Sequence, residues 1–130
     1  MEQLQLVPSM TPEEDRIAKI IFKHRGRSNP VQVTVLSYKT GIDQRKVREI
    51  VKGLIEDHLL PIGSTSSKPA GYYVITDPRE LRLVRRSLIR RAVSILNRAK
   101  AYDRGGWVSE MAGQLTMRLE ADRDPEQSQL

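Results

Sequence analysis

Residues 61–75 read PIGSTSSKPAGYYVI, and the middle nine, Gly63 to Gly71, are small, hydroxylated, glycine, proline or lysine. None of these side chains suits a core, so the segment cannot bury anything. Whatever fold the chain adopts must hold this piece outside, between the two short apolar stretches at its ends. Those stretches, LPIG and GYYVITD, therefore read as two strands of a β-hairpin with a long loop. The patterns around the hairpin are helical, and the expected fold class is mainly α with a small β-hairpin.

The segment TPEEDRIAKIIFKH carries agreeing helix-start signals. Thr11 can cap, Pro12 suits the first helical position and Glu14 completes a capping box. Ile17, Ile20, Ile21 and His24 fall on one face, and Lys23, His24 and Arg25 suit the helix end; Gly26 and RSNP stop it. PVQVTVLSYKTGI is read as a brief extended piece, Val31–Val33, then a short helix over 34–39 and a turn at Gly41. DQRKVREIVKGLIEDHL is a helix capped by Asp43, with Val47, Ile50, Val51, Leu54 and Ile55 as its apolar stripe. Gly53 interrupts it where another backbone is expected to come close.

After the hairpin, the apolar residues Leu81, Val84, Leu88, Ala92, Ile95 and Ala99 step by three or four, a heptad-like seam that Ile89 and Leu96 widen. Gly105-Gly106 breaks this long helix. WVSEMAGQLTMRLEA is read as one more amphipathic helix anchored by Trp107, and DRDPEQSQL as a disordered acidic tail. The expected organisation is a loose arm at 1–10, a domain at 11–77, the long basic helix at 78–104, and a short helix with tail at 105–130.

Charge separates these pieces. Residues 78–104 hold nine basic and two acidic groups, net +7, whereas 1–30 and 31–77 are +1 each and 105–130 is −3. A polyanionic partner is expected. With no cysteine, the chain has no disulfide, thiolate nucleophile or cysteine zinc site. No apolar run is long enough for a membrane span, no signal peptide is evident, and the expected location is cytoplasmic. Paired carboxylates in an apolar setting, a serine with a base, and a glycine-rich phosphate cradle are all missing, so no enzyme, cofactor or small-molecule substrate is expected. His24 and His58 stand apart and read as surface or helix-end residues rather than metal ligands.

Helix, short helix, glycine turn, capped helix, hairpin is the order of a winged helix-turn-helix. In that arrangement the helix after the turn enters a duplex major groove and the hairpin lies along the backbone or minor groove. With its apolar stripe inward, the helix of residues 43–57 turns out Gln44, Arg45, Arg48, Glu49 and Lys52. Gln44, Arg45 and Arg48 are expected near base edges, arginine suiting guanine and glutamine adenine. Lys46 and Lys52 are expected at phosphates; Glu49 either excludes a phosphate or accepts from a cytosine. On the loop, Ser64, Thr65, Ser66 and Ser67 offer hydroxyls and backbone N–H groups to phosphate, and Lys68 adds charge.

Residues 11–77 resemble a bacterial or phage winged-helix DNA-binding domain. PIGSTSSKPAGYYVITDPRELRLVRRSLIRRAVSILNRAKA is similar to small prophage proteins of Gram-positive bacteria, in which such a domain precedes a basic helix. The resemblance covers about 90 residues and implies binding of double-stranded DNA in transcription or replication. The basic helix is read as a homodimer seam through Leu81, Val84, Leu88, Ala92 and Ile95; binding phosphates or folding back on its own domain are the alternatives. Arg82, Arg85, Arg86, Arg90 and Arg91 would repel in a close parallel pair, so the pair should be antiparallel or crossed, or the charges must fan outward. A membrane-surface role is disfavoured by the few bulky apolar residues. The alternative function is a docking platform in a replication or remodelling complex.

Overall fold

A computed structural model describes residues 9–104 and 106–122. The expected arm over 1–8, Gly105 and the expected disordered tail over 123–130 lie outside the described residues. The chain divides into two compact units, Met1–Leu81 and Arg82–Leu130. The described residues are mainly helical, with five helices and one two-stranded antiparallel sheet.

In the first unit, α1 is Pro12–Ile21, α2 is Val33–Thr40 and α3 is Gln44–Glu56; β1, Ile62–Thr65, and β2, Gly71–Val74, form the hairpin. The capping box closes both ways. Thr11 Oγ1 accepts from the Glu14 N–H at 3.1 Å, and Glu14 Oε1 accepts from the Thr11 N–H at 2.8 Å. Helix α1 ends at Ile21, short of the expected His24. The His24 carbonyl accepts from the Val74 N–H and the Gly26 N–H donates to the Val74 carbonyl, at 2.8 and 2.9 Å. Residues 24–26 are drawn into pairing with β2, which competes with another helical turn. The expected extended piece also pairs with the hairpin: Val31 and Tyr72 exchange two 2.8 Å hydrogen bonds. Helix α2 begins one residue earlier than expected, at Val33, and ends at Gly41, whose φ is 74°.

The turn into α3 is held by Ser37 Oγ, which donates to the Ile42 carbonyl at 2.6 Å. Asp43 then caps α3, accepting from the N–H groups of Arg45 and Lys46. Ile17, Ile21, Leu36, Val47, Val51 and Leu54 are wholly buried, with Val31, Ile62 and Val74 beside them. The apolar stripe of α3 is narrower than expected, because Ile50 is half-buried and Ile55 is exposed. Met10, expected in the loose arm, packs against this core. Gly53 faces the carboxylates of Asp57 and Glu14 rather than a backbone. His58 follows α3, but its ring is tucked in, with Nε2 at 3.4 Å from Glu14 Oε2.

The exposed flap is shorter than the sequence suggested. Gly63, Ser64 and Thr65 belong to β1, in register with Tyr73, Tyr72 and Gly71. Gly63 is buried under the Tyr73 ring, which would lie 2.6 Å from any Cβ there. Gly71 has a φ of 141°, and a Cβ would meet the Val31 carbonyl group. Both positions have a glycine because a backbone or ring fills the space of a side chain.

The long helix α4, Pro78–Asp103, starts in the first unit. Its Glu80 accepts from the N–H groups of Arg27 and Thr76, both at 2.8 Å. That anchorage explains why the division falls after Leu81 instead of at the expected 77/78. In the second unit α5, Trp107–Ala121, runs back along α4. Arg85 pairs with Asp122 at 2.9 Å, Arg86 donates to the Leu119 carbonyl, and Asp103 accepts from the Val108 N–H at 3.0 Å. Val93, Val108 and Ala112 are buried here; Trp107, the expected anchor, is exposed.

Two outcomes follow from this packing. Gly71→Ala should destabilise the fold by more than about 1 kcal/mol, since strain and a clash with Val31 act together; denaturant unfolding measures this. The Glu14 carboxyl is held below its ordinary value of 4.5, chiefly by the Thr11 backbone N–H, with the His58 charge adding to it. A depressed folded value means that its stabilisation is complete above pH 4.5 and is lost as the pH falls through the lower, folded value. Glu14→Gln should therefore flatten the decline of the melting temperature on the acid side of pH 4.5.

Candidate nucleic-acid interface

Helix α3 places Gln44, Arg45 and Lys46 in its first turn and Arg48, Glu49 and Lys52 beyond it, all exposed. Val47, Val51 and Leu54 set this orientation: with those three in the core and Ile50 at its edge, these six positions face outward. The outward side chains are not equally available. Arg45 lies 3.7 Å from Glu49 in a solvent-exposed pair, which constrains it weakly. Lys46, expected at a phosphate, is engaged by Glu13 of α1 at 2.9 Å. That hydrogen bond raises the Lys46 pKa above its ordinary 10.5. Arg48 and Lys52 have no ion pair among the described residues.

Arg48 opens onto a groove of about 500 Å³ between α3, the start of α2 and the hairpin. Gln32, Thr34, Ser64, Ser66 and Tyr72 share its lining. The first N–H groups of α2 have no intrahelical acceptor, and Gln32 provides no side-chain cap. The groove thus sets the Ser64 and Ser66 hydroxyls, which suit a phosphate oxygen, beside the Arg48 guanidinium, which suits a base edge. Burial raises the Tyr72 phenol, and the nearby Arg48 charge opposes that shift.

The hairpin residues expected to act together are divided. Ser64 and Ser66 line the Arg48 groove, whereas Ser67 and Lys68 line a second one of about 410 Å³ on the other flank, with Arg27 and Ser28. Thr65 borders both, and its Oγ1 accepts from the Ser67 N–H at 3.2 Å. Gln44, Arg45 and Lys52 border neither. Sequence reasoning did not single out Gln32, Thr34, Tyr72, Arg27 or Ser28. The two arginines of RGRSNP are the one local signal for Arg27 and Ser28, in a stretch whose glycine and proline mark a helix stop.

Of the expected seam on α4, Leu81, Leu88 and Ile95 are 49%, 53% and 60% exposed; Ala92 is exposed and Val84 half-buried. Ile89 and Leu96 are half-buried and Val93 buried, on the neighbouring stripe of the same helix. Among the described residues no three metal-ligating side chains come together, and no helix is long and apolar enough to cross a membrane. No protein family, curated protein or solved structure matches this chain.

Proposed function

We propose that the chain is a winged helix-turn-helix protein that binds double-stranded DNA with sequence preference and acts in bacterial or phage transcriptional regulation. Helix α3 is the reading helix and the β1–β2 hairpin is the wing. The observation that carries this reading is the open groove in which Arg48 of α3 and Ser64 and Ser66 of the hairpin meet. A duplex major groove admits one helix, and the backbone beside it then runs toward this donor-rich surface. Arg48 is the primary base-reading candidate and Gln44 its neighbour. Arg45 joins by leaving its loose pair with Glu49. Lys46 fastens α3 to α1, and Lys52 remains a phosphate contact.

A second reading, a protein-docking platform in a replication assembly, is favoured by the two acidic partners on the reading face, Glu49 at Arg45 and Glu13 at Lys46. Binding to random duplex DNA over a salt series separates the two. A DNA binder loses affinity steeply with salt because several phosphates are neutralised. A docking module shows no such slope. Under the first reading, Arg45→Ala with Arg48→Ala should remove about 1–3 kcal/mol of discrimination per lost base contact. Selection from a random duplex library should then return sequences with weakened preference. Unchanged preference and strength would remove α3 as the reading helix.

The same proposal includes a homodimer through α4. Leu81, Leu88 and Ile95 recur every seven residues on an exposed stripe, the spacing of a helix–helix seam. Arg85 and Arg86, expected to repel across such a seam, are held by α5, which lowers the cost of bringing a second copy close. Leu88→Asp should give monomers in sedimentation velocity, and a dimer persisting at wild-type strength excludes this seam.

A further inference from the structure

The far flank of the hairpin holds Lys68, expected to add charge to the loop, and beside it Arg27, to which the reading above gives no role. We infer that Arg27 and Lys68 jointly bind one backbone phosphodiester of the duplex, on the side of the hairpin opposite the Arg48 groove. This inference rests on the DNA-binding reading and adds Arg27, from outside α3 and the wing, as a partner to Lys68 of the wing. Arg27, Ser28, Thr65, Ser67, Lys68 and Pro69 line the groove, and no carboxylate is among them.

The backbone at Arg27 is fixed from two sides. The adjoining Gly26 N–H donates to the Val74 carbonyl at 2.9 Å, and the Arg27 N–H donates to Glu80 Oε2 at 2.8 Å. The guanidinium therefore projects from an anchored turn while remaining exposed. Neither it nor the Lys68 ammonium has an ion pair among the described residues. Glu80 meets the Arg27 backbone, and both its oxygens are occupied, Oε2 by the Arg27 N–H and Oε1 by Thr76. It holds the turn and leaves the cationic ends facing solvent.

Two like charges sharing one cleft repel each other, and an anion between them relieves that repulsion. A phosphodiester carries one negative charge and two free oxygens. It suits a forked guanidinium on one side and a point-like ammonium on the other. The Ser28 and Ser67 hydroxyls supply neutral donors to the same group. The wing then meets the DNA backbone on both flanks, with Ser64 and Ser66 on one and Arg27 with Lys68 on the other. Arg27 carries no base information in this arrangement, so it contributes affinity without sequence preference.

The test uses the full chain and random duplex DNA over a salt series, with Arg27→Gln, Lys68→Gln, the double variant and Arg27→Lys. Each glutamine variant should reduce the salt slope by about one and weaken binding about three- to tenfold. The sequence preference of selected fragments should not change, and Arg27→Lys should retain most of the slope. Because one phosphate is shared, the double variant should lose less than the product of the single losses. Wild-type slope and affinity in Arg27→Gln, or single losses that multiply in full, overturn the inference. If Arg45→Ala with Arg48→Ala loses discrimination while Arg27→Gln binds normally, only the second phosphate site falls. If the wild type itself shows no salt-dependent duplex binding, the DNA reading falls first. Wild-type melting temperatures in the four variants confirm that each reports on binding rather than folding.

Discussion

Strand β2 uses the backbone groups of both its edges, and the first unit is organised around that fact. On one side it pairs with β1, residue against residue from Ile62↔Val74 to Thr65↔Gly71. On the other side Tyr72 pairs with Val31, and Val74 bonds to His24 and Gly26. Each bond satisfies a backbone group that would be costly to bury unpaired. Together they tie three separate stretches of chain to four residues. The end of α1, the start of α2 and the position of the hairpin relative to α3 all follow.

The grooves are consequences of the same pairing. Val31 docked on Tyr72 brings the N-terminal end of α2 beside the hairpin, which forms one wall of the Arg48 groove. Gly26 docked on Val74 brings Arg27 to the opposite flank. Gly71 makes the close approach to Val31 feasible, and Gly63 leaves room for the buried Tyr73 ring. The Tyr73 phenol is raised first by burial, and the Arg27 charge opposes that shift. The hairpin is therefore a packed element with a short projecting turn, and its hydroxyl groups are dealt to two different surfaces.

The second unit uses one helix for two apolar stripes. Arg85 and Arg86 engage the far end of α5, and Val93 is buried on α4 as Val108 and Ala112 are on α5. Leu88 and Ile95 lie on the other stripe and keep more than half their surface in water. A helix with apolar residues at both neighbouring stripes can hold a helix of its own chain and still offer a face to another. The strong positive charge of residues 78–104 is distributed around these stripes, so it bears on any partner that approaches α4.

Local chemistry in the sequence determined much of what is seen. The capping box at Thr11, the Asp43 cap, the inward set Val47, Val51 and Leu54, the hairpin, and the helices at 78–103 and 107–121 rest on interactions between near neighbours, or on a period that one segment carries alone. The outward placement of Gln44, Arg45, Arg48 and Lys52 follows from that period. Tertiary structure decided what depends on residues distant in sequence: where α1 stops, the burial of Gly63, the division of the serine loop between two flanks, the engagement of Lys46 by Glu13, and the arrival of Arg27 beside Lys68. Periodicity reports the face of a helix toward its core, because every apolar residue responds to the same solvent. Which cation meets which carboxylate, and which turn lies against which strand, depend on backbone pairing between distant segments, and no local pattern records it.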